Sequence, residues 1–165
     1  MNRRTFLAVL GALATSTLPR ATGVFAVTVA PGAGAKIIKG VSKEIYISLG
    51  KQRLWAYLDG AVITTFLISS GEETRGTKTG NFRVQSKYPE AWSDVWQLRM
   101  PYWMGIYNVG RVENGIHAMP LKKSGRQVRW PVGIPASFGC VVANTTEAAS
   151  LYRWAPLGTP VYIRW

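Results

Sequence analysis

The sequence predicts a mainly β domain with one or two short helices. Apolar and polar residues alternate from Ile45 and Ile47 onward, which is typical of strands with one buried face. The pair Asp59-Gly60 joins two such stretches and favours a tight β-hairpin turn. One clear helix start signal stands at Asn144, ahead of an amphipathic run. With 165 residues, 47% of them hydrophobic, the chain suits one globular domain with its own core.

Residues 1–26 have the features of an export signal. Arg3 and Arg4 precede an apolar run over residues 6–14, and small residues follow. The stretch is similar to the twin-arginine motif of the Tat route, with an ordinary Sec signal as the alternative. Cleavage is expected after Ala26, and the apolar run is short for a membrane span, although an uncleaved anchor stays open. We expect an exported protein of the periplasm or cell wall, with membrane contact only through this signal.

The remaining chain divides into a linker, residues 27–43, and a folded domain, residues 44–165. Within the domain, "RLWAYLDGAVITTFLIS" predicts a hairpin, "GTKTGNFRVQ" a turn and a strand, and "TPVYIRW" a final strand. The pair Asn114-Gly115 predicts a second tight turn, shortly before His117. Residues 118–136 hold three prolines and predict mainly a loop.

The segment "NTTEAASLYRWA" predicts the helix. Asn144 is expected as the N-cap, with Glu147 at the position that reaches back to it. The predicted apolar face carries Ala148, Leu151 and Tyr152.

The charge balance is strongly basic, with 20 lysines and arginines against 8 acidic residues. This imbalance indicates an anionic neighbour such as nucleic acid, phospholipid or an acidic wall polymer. The export signal disfavours nucleic acid. One histidine, one cysteine and scattered acids do not make a zinc or di-metal pattern. The Gly-Xaa-Gly at 32–34 lies in the linker rather than after a strand, so it does not predict a phosphate loop.

Cys140 is the only cysteine in the sequence. Outside the cytosol disulfides form readily, so an unpaired cysteine is an intermolecular link, an inert buried thiol or a nucleophile. A nucleophilic thiol needs a base or a positive field. His117 is the only histidine, so it is the base if that base is an imidazole. Gly139 allows a close backbone approach to a substrate beside the thiol.

Four segments from Glu44 to Trp165 follow the order of a known family. They are "SSGEETRGTKTGNF", "GIHAM", "SFGCVV" and "LGTPVYIRW". Together they resemble the L,D-transpeptidase (YkuD-like) catalytic domain of bacterial cell-wall enzymes. There the corresponding segments read Gly…Thr-Pro-Thr-Gly-Xaa-Phe, Ile-His-Gly, Ser-Xaa-Gly-Cys and Gly-Thr-Xaa-Val. The resemblance implies the family's β-sandwich-type fold.

The resemblance also implies site roles. Cys140 would be the nucleophile and His117 the general base. The backbone carbonyl of Ala118 would orient the imidazole in place of a carboxylate. Ser137 and Gly139 would shape the nucleophile loop and the oxyanion hole.

The implied reaction is acyl transfer on peptidoglycan stem tetrapeptides. D-Alanine leaves, a thioacyl-enzyme forms, and an amine from a second stem or a wall-attached protein resolves it. Water as acceptor would make the protein an L,D-carboxypeptidase, and a non-catalytic wall-binding module is a further alternative. No cofactor or metal is implied, and the resemblance implies acylation by carbapenems.

Three positions depart from the family pattern. Val142 stands where Arg or Asn is usual, Phe138 where His is common, and Lys78 where proline is usual. The loss of a polar group at Val142 indicates a variant substrate contact, a substitute such as Asn144 or Arg153, or weakened activity.

The segment "PLKKSGRQVRWP", residues 120–131, joins the two candidate catalytic residues. An arginine fork can hold a substrate carboxylate, so Arg126 and Arg129 are candidate binding residues. Trp130 is a candidate for closing over the substrate's aliphatic part or a sugar face. The alternative is a solvated basic loop with no contact to the substrate.

Overall fold

The computed structural model describes residues 40–165. The predicted export signal and residues 27–39 of the predicted linker lie outside the described residues. The first strand begins at Lys43. None of the helices formed by residues 40–165 is long and apolar enough to cross a membrane.

Residues 40–165 form ten β-strands, one α-helix and one short 3-10 helix. The strands are β1 (Lys43–Ser48), β2 (Arg53–Leu58), β3 (Ala61–Ser69), β4 (Gly80–Arg83), β5 (Ser86–Ser93), β6 (Leu98–Val109), β7 (Val112–Ala118), β8 (Leu121–Lys122), β9 (Val141–Ala143) and β10 (Pro160–Arg164). The α-helix is α1 (Thr145–Trp154), and the 3-10 helix is Glu73–Arg75. The prediction of a mainly β fold with one or two short helices is confirmed.

The strands follow the order β4-β10-β1-β2-β3-β9-β7-β6-β5, and β8 pairs with β6. Strand β3 joins two halves, because it pairs with β2 on one side and with β9 on the other. One buried cluster contains Ile45, Ile47 and Leu54 from the first half and Met104 and Ile116 from the second. Both halves therefore bury their apolar faces in the same core.

The hairpin predicted at Asp59-Gly60 is confirmed. Strands β2 and β3 pair antiparallel up to Leu58 and Ala61, on either side of this turn. Both turn residues have positive φ angles, 51° and 80°. Such angles are required by the two-residue turns whose twist matches the flanking strands.

The prediction of a second tight turn at Asn114-Gly115 is wrong. Both residues lie inside β7, and the chain reverses at Gly110, where φ is 59°. Gly115 serves close strand packing instead, because a Cβ there would lie 2.5 Å from the carbonyl oxygen of Met104. The glycine therefore marks a close backbone approach rather than a reversal of the chain.

The helix begins at Thr145, directly after the predicted N-cap residue Asn144. The predicted capping contact is absent among the described residues, since the Asn144 side chain makes no cap hydrogen bond. At the other end, Lys43 Nζ donates to the Trp154 carbonyl at 2.8 Å, and Lys87 Nζ donates to two further carbonyls. These ammonium groups complement the partial negative charge of the helix C-terminus.

Most of residues 118–136 is loop, as predicted, apart from Ala118 at the end of β7 and the two-residue strand β8. This strand pairs with the start of β6, where Lys122 lies opposite Leu98. The pairing ties the first part of the loop to the same sheet half that carries β7.

Candidate active site

The topology brings His117 and Cys140 to one region. His117 lies in β7, and Cys140 directly precedes β9. These strands pair in parallel, with His117 opposite Val142. Both side chains line one cleft of about 950 Å³. The parallel pairing of β7 and β9 therefore brings together two residues that are 23 positions apart in the sequence.

The cysteine loop, residues 136–140, is held mainly by backbone hydrogen bonds. The amides of Ala136 and Ser137 both donate to the Ser70 carbonyl, at 3.0 and 2.9 Å. The Ser137 hydroxyl donates to the Cys140 carbonyl and accepts the Gly139 amide at 3.3 Å. Ser137 therefore closes the loop on itself, which fixes the backbone that carries the thiol.

Thr77 connects the cysteine loop to the segment that follows β3. Its hydroxyl donates to the Gly139 carbonyl at 2.8 Å and accepts the Gly71 amide at 2.8 Å. A Cβ on Gly71 would lie 2.9 Å from Gly139 Cα, so the two segments touch backbone to backbone. Gly139 itself has φ of +113°, a conformation that side-chain-bearing residues rarely adopt.

Replacing Thr77 by valine is expected to lower the free energy of unfolding by about 2 kcal/mol. The change leaves the buried Gly71 amide without its acceptor, and the Gly139 carbonyl keeps only the longer bond from Tyr107. Urea denaturation monitored by tryptophan fluorescence measures this loss. Thr74→Val is the matched control, since Thr74 is exposed and its hydroxyl bonds only to Glu72. Equal effects of the two substitutions would contradict the anchoring role of Thr77.

The His117 imidazole is buried, with 3% of its surface exposed. Its Nδ1 donates to the Ala118 carbonyl at 2.6 Å, which leaves Nε2 as the basic nitrogen. The ring of Trp103 stacks on the imidazole with 5.6 Å between ring centres. Burial lowers the pKa of His117 to about 4, partly opposed by the bond to Ala118, so the imidazole is neutral at physiological pH.

The stability of the protein is expected to depend on pH through His117. The unfolded chain binds a proton near the ordinary pKa of 6.5, whereas the folded chain binds it only near 4. Unfolding is therefore favoured as pH falls from 6.5 to 4, by about 3 kcal/mol at the lower limit. Unfolding free energies at pH 7 and pH 4 should differ less in His117→Gln than in the wild type. Parallel pH profiles for the two proteins would show that the imidazole does not titrate in this way.

The Cys140 thiol is half-buried and donates to Asn114 Oδ1 at an S···O distance of 3.6 Å. Burial raises the pKa of Cys140 to about 11. The amide of Gly115 lowers this pKa, and the negative charge of Glu113 raises it further. The resting site thus holds a neutral thiol and a neutral imidazole in the same cleft. Attack by sulfur requires the proton to leave during the reaction rather than before it.

An aromatic cluster closes one side of the cleft. Phe138, in the cysteine loop, stacks on Trp96 at 4.1 Å and meets the edge of Trp130 at 5.3 Å between ring centres. The Arg75 guanidinium lies over Phe138 at 4.2 Å. Trp96 belongs to the turn between β5 and β6, so this hairpin contacts the cysteine loop directly. Phe138, which stands where the family commonly has His, therefore lies at the centre of an aromatic wall of the cleft.

The family comparison decides the identity of the fold. A sequence model of the YkuD family, described as the L,D-transpeptidase catalytic domain, matches residues 42–163. The chain belongs to this YkuD family. No curated protein sequence matches the chain.

Solved L,D-transpeptidases have the same fold as this YkuD domain. The L,D-transpeptidase from Stackebrandtia nassauensis is 24% identical, with a TM-score of 0.59, over 74% of this chain and 55% of that one. A cysteine-to-serine mutant of the Enterococcus faecium enzyme is 25% identical, with a TM-score of 0.61, over 74% and 49%. L,D-transpeptidase 3 from Mycobacterium tuberculosis, in complex with a faropenem-derived adduct, is 17% identical, with a TM-score of 0.60, over 76% and 61%. The chain thus spans about half to three fifths of these proteins.

The structure gathers most of the predicted site residues of the YkuD domain. The described residues that line the cleft include His117, Ser137, Gly139, Cys140 and Trp130. The Ala118 carbonyl is bonded to the imidazole, as the family resemblance implied. Arg126 and Arg129 are exposed and are not among these lining residues.

Several cleft residues were not among the site residues predicted from the sequence. The cleft cations are Arg75, Lys78 and Arg111, none of them in the predicted binding loop. Asn114 contacts the thiol. The sequence does not predict this contact, because an Asn-Gly pair is typical of a tight turn. Val142, the main departure from the YkuD pattern, is only 2% exposed and still lines the cleft.

Residues 40–165 contain no cluster of three or more His, Cys, Asp or Glu side chains placed to hold a metal ion.

Proposed function

We propose that this YkuD domain is a cysteine-dependent L,D-transpeptidase acting on peptidoglycan stem tetrapeptides. The observation that carries the proposal is the shared cleft of Cys140 and His117, with the imidazole held by the Ala118 carbonyl. A nucleophile, a base and a group that orients the base are the parts that covalent acyl transfer needs.

In the proposed acylation step, His117 Nε2 takes the thiol proton as Cys140 Sγ attacks the carbonyl carbon of the third stem residue. The C–N bond to D-alanine then breaks, and His117 gives the proton to the leaving amine. A thioester on Cys140 remains. The neutral imidazole at physiological pH supports this role, because only the neutral form can accept the proton.

The developing oxyanion requires hydrogen-bond donors near the thiol. The Cys140 amide is our candidate, because it donates to no acceptor within the described part of the chain. The Gly139 amide bonds to the Ser137 hydroxyl at 3.3 Å, a long contact that a stronger acceptor could replace. Gly139 also keeps the loop free of a side chain at the point where a substrate carbonyl would enter.

In the proposed second step, an amine from another stem or a wall-attached protein attacks the thioester and forms a crosslink. Attack by water would release a tripeptide and make the protein an L,D-carboxypeptidase. The apolar cleft wall of Trp96, Phe138 and Trp130 favours the amine, because apolar surroundings exclude water and so limit hydrolysis of reactive intermediates. A non-catalytic wall-binding module is the alternative, supported by Val142 in place of a polar residue.

Incubation of the protein with disaccharide tetrapeptide tests the proposal. Intact-mass spectrometry should detect an acyl-enzyme, and the product mixture should contain free D-alanine and a crosslinked dimer. A carbapenem should form a covalent adduct, by analogy with the faropenem-derived adduct of the M. tuberculosis protein. Failure to form any adduct, with intact binding to peptidoglycan, would favour the wall-binding alternative.

Export is part of the same proposal. Residues 1–26 carry the paired arginines and the apolar run of a Tat-like signal. An exported location would place the cleft beside its proposed polymer, and cell fractionation of the full chain tests it.

A further inference from the structure

A second functional group occupies the cleft on the strand that carries His117. Glu113 lies in β7 and lines the cleft together with His117 and Cys140. Its Oε2 accepts the Ser86 hydroxyl at 2.7 Å and the Trp103 indole N–H at 3.0 Å, and its Oε1 accepts Gln85 Nε2 at 2.8 Å. The carboxylate is thus oriented by three donors from neighbouring segments.

The backbone opposite Glu113 leaves room for this carboxylate. A Cβ on Gly105 would lie 2.2 Å from Glu113 Cδ and 2.3 Å from Ser86 Oγ. Any side chain at Gly105 would therefore displace the group. Glu113 lies in the cleft, faces a glycine and accepts three hydrogen bonds. Its carboxylate therefore has a fixed position, unlike that of a solvated surface acid.

All three donors are uncharged groups, so none of them places a positive charge beside the carboxylate. Residues 40–165 contain two salt bridges, Arg75 with Glu72 and Arg99 with Glu90, and Glu113 is in neither. A carboxylate has about four acceptor positions, so a fourth donor can still bind.

The charge lies on the histidine side of the cleft. Trp103 donates its indole N–H to Glu113 and stacks its ring on His117. Glu113 is also close enough to raise the pKa of the Cys140 thiol. A cation bound at Glu113 would therefore stand near both the base and the sulfur.

We propose that Glu113 binds the ammonium group of the acyl acceptor and delivers it to His117. This inference rests on the proposed function. Only the second step needs a nucleophile from solution, and His117 must take a proton from that nucleophile. Amine acceptors are cationic at neutral pH, whereas water is not, so a fixed carboxylate selects amines over hydrolysis.

The acceptor loses one proton before it attacks the thioester and a second proton during the attack. The bound ammonium releases one proton to solvent and becomes a neutral amine beside His117. The amine nitrogen attacks the thioester carbon, and His117 Nε2 takes the second proton as the C–N bond forms. The C–S bond then breaks, and His117 returns that proton to the Cys140 thiolate. An amide product and the neutral thiol–imidazole pair result.

The test compares acceptors of different charge in Glu113→Gln. The amide oxygen can keep the bonds from Ser86 and Trp103, while the charge and the acceptor for Gln85 Nε2 are lost. Preformed acyl-enzyme is mixed with ethanolamine, a cationic amine, or with hydroxylamine, which is uncharged at neutral pH. We expect the variant to lose about tenfold or more in reactivity toward ethanolamine while its reactivity toward hydroxylamine is kept.

Thiol alkylation, read together with an unchanged melting temperature, measures the effect of the Glu113 charge on Cys140. Removing the charge of Glu113 should speed reaction of Cys140 with iodoacetamide, because that charge disfavours the thiolate. Glu90→Gln is the matched control, since Glu90 also lines the cleft but is paired with Arg99. It should not change the preference between the two acceptors.

Two outcomes would overturn the inference alone. Equal losses toward both acceptors would show that Glu113 only supports Trp103 and His117. An unchanged preference for ethanolamine would show that the carboxylate does not bind the acceptor. Failure of the wild type to form an acyl-enzyme would instead overturn the proposed function, and this inference with it.

Discussion

Replacement of Cys140 by serine is expected to abolish formation of the acyl-enzyme. A serine hydroxyl is a far weaker nucleophile than a thiol, and the neutral imidazole of His117 is a modest base. We expect the rate of D-alanine release to fall by about 10⁴-fold or more, as in other enzymes that lose their nucleophile. Intact-mass spectrometry after incubation with tetrapeptide or a carbapenem measures the effect.

The fold should survive this substitution. The hydroxyl can still donate toward Asn114, and the cysteine loop is held by Ser137, Ser70 and Thr77 rather than by the sulfur. Near-identical melting temperatures for the two proteins would establish that the lost activity is chemical. A covalent adduct on the serine variant, at the wild-type rate, would show that another residue is acylated.

Replacement of His117 by alanine is expected to slow acylation by about 10²–10⁴-fold, the usual contribution of a positioned general base. The effect should be large here because the thiol has a pKa near 11 and remains protonated at neutral pH. Stopped-flow measurement of carbapenem acylation separates this step from product release. The rate of the variant should rise with pH up to the pKa of the thiol, since hydroxide then replaces the missing base.

Asn114→Ala is a useful comparison for the histidine variant. Asn114 contacts the same thiol but cannot accept its proton as a base. A loss in His117→Ala no larger than in Asn114→Ala would indicate that the imidazole acts through packing. A pH profile of the alanine variant parallel to that of the wild type would lead to the same conclusion.

Local sequence signals predicted the elements whose structure depends on neighbouring residues. The hairpin at Asp59-Gly60 follows from two residues that tolerate positive φ between alternating strands. The start of α1 after Asn144 is equally local, even though the expected side-chain cap is absent. The turn predicted from Asn114-Gly115 does not form. Glycine is required at position 115 because a side chain there would collide with the backbone of Met104 on another strand.

The sequence pointed to candidate site residues whose type occurs only once. It did not point to residues whose role depends on their position in the folded structure. Cys140 and His117 stand out because each occurs once. The loop arginines, Arg126 and Arg129, were predicted from their chemistry alone, and their exposure leaves their binding role a prediction. Arg75 is one of many arginines in the sequence, and only the structure shows that its guanidinium lies over Phe138.

The sequence by itself determined the mainly β class and singled out Cys140 and His117 as candidate catalytic residues, because turn residues, alternation and single reactive side chains are local properties. The order of its motifs indicated the family through resemblance. Only the tertiary structure decided what surrounds that pair. The parallel pairing of β7 with β9 sets Cys140 beside the strand of His117, and burial there sets the pKa values of both groups. The unpaired charge of Glu113 likewise depends on Gly105 and on donors distant along the chain, since burial and electrostatics depend on distances in space rather than in sequence.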